Sequence, residues 1–119
     1  MTTLLVLYRR PDGGDEALAT LERRYREEHL PLVAGTPGLR ETRVWRVSGA
    51  LGSETDLVLV AAMDFDDRTA MDEGLRSDAM RQAGRVLRDI APGLATFLVV
   101  EDAPDLLDPG VGTAGHAAG

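Results

Sequence analysis

Histidine is the side chain best suited to move protons near neutral pH, and this chain has two, His29 and His116. His29 lies in the stretch Tyr25 to Leu32, Tyr-Arg-Glu-Glu-His-Leu-Pro-Leu, whereas His116 stands in a Gly/Ala-rich C-terminal segment. On a helical projection Leu18, Leu21, Tyr25, His29 and Leu32 fall on one stripe, with spacings of three, four, four and three residues. The imidazole therefore points toward the apolar side. Pro31 has no backbone N–H and crowds the preceding turn, so the helix is expected to end or kink within a residue or two of His29. That puts a half-buried imidazole at a helix C-terminus. The carbonyl end of the helix favours imidazolium, and apolar surroundings favour the neutral ring. In either case the group titrates near neutrality, as general acid/base chemistry asks. The alternative is a structural histidine whose ring bonds a backbone carbonyl and packs under the helix.

A few other side chains are candidates for the same site. Tyr25, one turn before His29, would orient the ring or donate to a substrate oxygen, or else be core with its hydroxyl at the rim; the core reading is preferred. Tyr8 carries the same two readings. Trp45 is the only tryptophan; it is either a flat pocket wall for an aromatic ligand or a dimer-interface anchor, and the interface reading is preferred. Arg43 shares its strand face and would bind a carboxylate or phenolate, or pair with a surface acid. Phe97 and Met63 are expected in the core. The pairs Glu27-Glu28 and Asp66-Asp67 fit a solvated helix face and a helix start.

Composition narrows the chemistry. The chain has no Cys, Lys or Asn, which removes thiol nucleophiles, disulfides, thiolate metal sites and side-chain Schiff bases. With His116 outside the patterned region, a multi-histidine metal site is not expected, and no calcium-loop spacing occurs; no metal and no cofactor are assigned. A formal charge of −7 argues against nucleic-acid or anionic-membrane partners, which need clustered positive charge. There is no charged leader with an apolar run and no stretch of membrane-spanning length, so the expectation is a cytoplasmic protein.

These residues must be positioned by a single small domain, for 119 residues suffice for one core. Residues 3 to 9 are a strand closed by the turn Pro11-Asp12-Gly13-Gly14. Asp15 is the expected cap of a helix from about 15 to 30. Residues 39 to 48 alternate with period two, placing Leu39, Glu41, Arg43, Trp45 and Val47 on one face. Residues 56 to 65 are apolar at almost every interior position, as in a strand covered on both sides. A helix starting at Asp66 or Asp67 runs to Arg76, and Ser77 starts a second half with the stripe Met80, Ala83, Val86, Leu87 and Ile90. Residues 94 to 100 form the last strand. The domain spans 1 to 102, and 103 to 119 are expected to be a flexible C-terminal tail.

The order strand, helix, strand, strand, helix, strand is the ferredoxin-like βαββαβ arrangement, an α+β fold with a four-stranded antiparallel sheet and two helices on one face. Two helices cover only one sheet face, while three strands are apolar on both. The open faces are therefore expected to meet in a two-fold homodimer with a shared core.

With these elements placed, the chain resembles the EthD family of the dimeric α+β barrel superfamily. The resemblance is carried by the strand ending in Tyr8 before Arg10-Pro11-Asp12, by Tyr25 with His29-Leu30-Pro31-Leu32, and by Pro37-Gly38-Leu39. Phe65-Asp66, Ser77 and Thr96 extend it over residues 3 to 101. It implies a dimeric α+β barrel with an apolar cleft, His29 at its edge, and a small hydrophobic or aromatic ligand. It implies metabolism of ether, aromatic or polyketide-like molecules, by isomerase, dehydratase or oxidoreductase-type chemistry without a metal. Two departures bear on mechanism: relatives that pair the histidine with a cysteine have no counterpart here, and Val86 stands where a carboxylate is expected. With the resemblance, the acid/base role of His29 is preferred. A non-catalytic binding or accessory protein for a hydrophobic metabolite is the alternative, and a haem-binding monooxygenase ranks last.

Overall fold

The computed structural model describes residues 1–107. Strand β1 (Thr2–Arg9) is followed by helix α1 (Gly14–Arg24), a π-helical turn (Tyr25–His29) and a short helix α2 (Leu30–Val33). Strands β2 (Glu41–Arg46) and β3 (Leu57–Phe65) come next. Helices α3 (Arg68–Leu75) and α4 (Asp78–Ile90), strand β4 (Ala95–Glu101) and a 3₁₀ turn (Pro104–Leu106) complete the described chain.

The four strands form one antiparallel sheet in the order β2-β3-β1-β4, the ferredoxin-like topology expected from the sequence. Thr2, Leu4, Val6 and Tyr8 of β1 are buried, while Thr3, Leu5, Leu7 and Arg9 are only partly so. The first set pairs with Phe65, Met63, Ala61 and Leu59 of β3, and these eight residues form the floor beneath the helices. Thr3, Leu5 and Leu7 of the second set pair with Asp64, Ala62 and Val60 on a face that none of the described helices covers. Register places Arg43 and Trp45 on that open face too, opposite Ala62 and Val60.

Helix starts follow their caps. Asp67 and Ser77 accept hydrogen bonds from the N–H groups of Ala70 and Met80, so α3 and α4 begin where the sequence predicts. Asp15, by contrast, is not a cap: it lies in the first turn of α1, whose N-cap is Gly13 at φ 106°, a conformation that glycine adopts without strain. Gly74 is buried in α3 because the helix runs close to its neighbours. A methyl group there would meet the Phe65 ring and the Pro37 carbonyl oxygen at 2.9 Å.

Pro31 does not end the first helix. The turn before it widens, so that the Leu30 N–H bonds the Tyr25 carbonyl five residues back. This closes the turn ahead of the proline, whose ring would clash with the carbonyl of residue 27 in a regular α-helix. The chain stays helical to Val33. His29 is therefore inside the helix and 3% exposed, not half-buried at its end. Arg24 braces the widened turn, bonding Glu28 through Nε and Nη2 at 2.9 Å and Asp89 of α4 at 2.8 Å.

Phe97 also departs from expectation: β4 is an edge strand, and Phe97 is 56% exposed, with Leu98, Val99 and Val100 exposed beside it. Leu106 and Leu107 are exposed as well. Of the C-terminal tail expected from residue 103, residues 108–119, with His116, lie outside the described residues. Among the described residues no helix is long and apolar enough to cross a membrane.

Candidate functional site

The stripe Leu21, Tyr25, His29 turns toward the sheet because α1 and the π turn lie on its helix-covered side, and all three residues are buried. Tyr8 rises from the floor to meet them. Its ring is edge-on to Tyr25 at 5.3 Å, and Tyr25 stacks on the His29 imidazole at 5.0 Å with 27° between planes. The Tyr8 hydroxyl donates to that of Tyr25 at 3.3 Å. The three aromatic rings thus form one column from β1 to the π turn.

His29 Nδ1 lies 3.0 Å from the backbone carbonyl oxygen of Ala83 in α4. A carbonyl only accepts, so Nδ1 carries the proton and Nε2 presents its lone pair. Nε2 has no hydrogen-bond partner among the described residues, yet it is not sealed away, since Thr36 Oγ1 is the buried side-chain atom left without a partner. Burial pushes the imidazole pKa below its usual 6.5, and the Ala83 carbonyl opposes this in part. The ring is therefore neutral at physiological pH, with a fixed tautomer. Both tyrosines are pushed above the usual phenol range, mainly by burial, so they act as neutral hydroxyls.

Beside this column is a cavity of about 370 Å³, within the range of small-molecule sites. Tyr8 and His29 line it together with apolar residues of β1, β3 and β4, and α4 closes it with Met80, Gly84, Leu87 and Arg88. Phe97 stands at its wall. Tyr25 does not line this cavity; it backs His29 and lines a smaller surface cleft with Arg46 and Leu59.

The structure therefore brings Tyr8, Tyr25 and His29 together and separates them from the other two candidates. Arg43 and Trp45 lie across the sheet. There the Arg43 guanidinium lies 5.3 Å from the Trp45 ring centre and bonds Asp64 at 3.1 Å. Asp64, buried on this face, also accepts from the Thr3 hydroxyl at 2.6 Å. Sequence reasoning missed the α4 wall of the cavity. The neighbouring small residues Ala83 and Gly84 were the available signal, since a small pair inside a helix marks a close approach.

Among the described residues no cluster of three or more His, Asp or Glu side chains stands close enough to hold a metal ion. Among the described residues, His29 Nε2 is the nitrogen lone pair left without a partner beside the cavity.

No protein-family model matches this chain, and no curated protein does. Solved structures do. An ethyl tert-butyl ether D (EthD) family protein from Bacillus halodurans is 27% identical, with 87% of this chain and 99% of that chain covered and a TM-score of 0.78. A dimeric protein of unknown function with a ferredoxin-like fold from Bacteroides fragilis is 17% identical, covering 85% and 95% of the two chains at a TM-score of 0.63. A cofactor-independent oxygenase from Streptomyces nogalater is 15% identical, covering 85% and 91% at a TM-score of 0.57. The last two likenesses are of fold alone. The first joins fold to sequence over nearly the whole described chain, and this protein resembles the EthD family of the dimeric α+β barrel superfamily.

Proposed function

We propose that the protein binds a small lipophilic molecule in the cavity under α4 and that His29 acts on it as a general base. The observation that carries this is the state of His29: neutral, anchored through Nδ1–H to Ala83, with Nε2 free beside an apolar cavity. Nε2 would take a proton from a C–H next to a carbonyl, or from a phenolic O–H, and return it to another atom of the same molecule. This gives isomerisation or dehydration, or, with dioxygen as co-substrate, activates the anion for oxidation. The Tyr8 hydroxyl, already donating to Tyr25, is the nearest candidate to turn toward a developing oxyanion. Tyr25 holds the imidazole plane and is a positioning residue.

A non-catalytic binding protein is the second reading. It is favoured by one feature: among the described residues no carboxylate lines the cavity, so His29 has no acidic partner among them there.

The same reading makes the protein a homodimer of a cytoplasmic pathway, joined through its open sheet faces. Leu98, Val100 and Trp45 are exposed there around the Asp64–Arg43 pair, and the Bacteroides fragilis protein of this fold is described as dimeric. Residues 1 to 102 would be the functional unit and 103 to 119 a flexible appendage.

The test is ligand-induced perturbation of the His29 ring signals. In a His116→Ala background, 1-naphthol and 2-acetylnaphthalene are each titrated while the imidazole resonances are followed. Saturable shifts, lost in Tyr8→Trp, which fills the cavity, support the site; unchanged signals with both probes refute it.

A further inference from the structure

We infer that the cavity selects lipophilic molecules that carry one negative charge, and that Arg88 at its rim holds that charge. The inference rests on the cavity being the ligand site and specifies what that site admits.

Of the described residues lining the cavity, Arg88 is the only one with a formal charge; the rest are apolar apart from Tyr8 and neutral His29. Arg88 forms no ion pair or side-chain hydrogen bond among the described residues. The nearest acid in sequence, Asp89, points away and is taken by Arg24 at 2.8 Å. A methyl group at Gly84 would lie 3.6 Å from Arg88 Nη1. The guanidinium is thus folded back over the turn of α4 that also supplies the Ala83 carbonyl to His29. Gly84 leaves the space between them open.

An anion bound to Arg88 would therefore lie over the same helical turn that anchors the base, with its apolar body against Met80, Leu87 and Phe97. A planar fork of N–H donors suits a carboxylate, which it binds with two parallel hydrogen bonds. Among the described residues no acid in the lining would repel such a ligand. The formal net charge of the chain is −7, so general attraction for anions cannot produce the preference, and any preference must be local.

The experiment is calorimetric titration at pH 7.5 with 2-naphthoate and with 2-acetylnaphthalene, which share a ring system and differ in charge. The wild-type protein is expected to bind 2-naphthoate about tenfold more tightly, as one charge-assisted contact at a partly wet rim allows. In Arg88→Met, which keeps the apolar stem, the ratio should fall to about one. In Arg85→Met, an exposed arginine outside the cavity, it should stay. Equal affinity in the wild type, or a preference that survives Arg88→Met, overturns the assignment while leaving the cavity a ligand site. If neither probe binds, both the assignment and the proposed function fall.

Discussion

The two faces of the sheet hold polar groups in opposite ways. On the helix-covered face Tyr8, Tyr25 and His29 are buried, uncharged and stacked, and one ring nitrogen is left without a partner beside a cavity. On the open face Asp64 and Arg43 are charged and bonded to each other, Thr3 completes the carboxylate's bonds, and apolar strand residues surround them. Burying a charge is costly unless it is paired, whereas a neutral imidazole is buried at modest cost. The first face keeps a lone pair available, and the second pairs its buried carboxylate, Asp64, with Arg43 and Thr3. On the proposed reading, chemistry belongs to the side with the cavity and association to the other side.

If that division is right, changes on the two faces have separable consequences. The largest effect is expected from His29→Ala, which should slow turnover of any accepted substrate by about 10²- to 10⁴-fold, the range for loss of a general base, with the circular dichroism spectrum retained. Next is Leu98→Asp on the open face, which should turn a dimer into a monomer in sedimentation. Val44→Asp is the control, since Val44 is as exposed but lies on the helix side of β2. Equal loss of the dimer in both would erase the distinction between faces.

Smaller effects sharpen the comparison further. Asp64→Ala removes bonds from Thr3 and Arg43 and should cost about 1–3 kcal/mol in urea unfolding. Arg43→Ala, whose side chain is half exposed, should cost less than about 1 kcal/mol. The smallest effect concerns pH. Because burial lowers the folded-state pKa of His29 below 6.5, the unfolded chain binds the proton first as pH falls. The contribution of the neutral ring is complete above about 6.5 and is lost as pH falls from there through the folded pKa, with a slope of at most one proton, about 1.4 kcal/mol per pH unit. His29→Gln should remove that slope from the stability profile.

Much of this was legible in the sequence because it depends on local pattern. Asp67 and Ser77 announce their helices by the hydrogen bonds their side chains make, and the stripe through His29 states which way the ring points. Pro31 marked where the regular helix is interrupted but not its end, because a proline forbids a regular turn and not a widened one. The alternation of β2 showed that Arg43 and Trp45 share a face, but not which face, since register is set by the pairing with β3. Phe97 read as core from its apolar neighbours, and its exposure follows from β4 being an edge strand. The cavity itself has no motif: it arises where Gly84 and the residues around it leave space.

The division between the faces rests above all on the state of one ring. Long-range ¹H–¹⁵N correlation of the imidazoles at pH 7.5, in a His116→Ala background, reads it directly. The geometry predicts a neutral His29 with the proton on Nδ1 and a pyridine-like Nε2, persisting to a pH below 6.5. A ring protonated on both nitrogens at that pH, or a neutral ring with the proton on Nε2, would contradict it and remove His29 as the base.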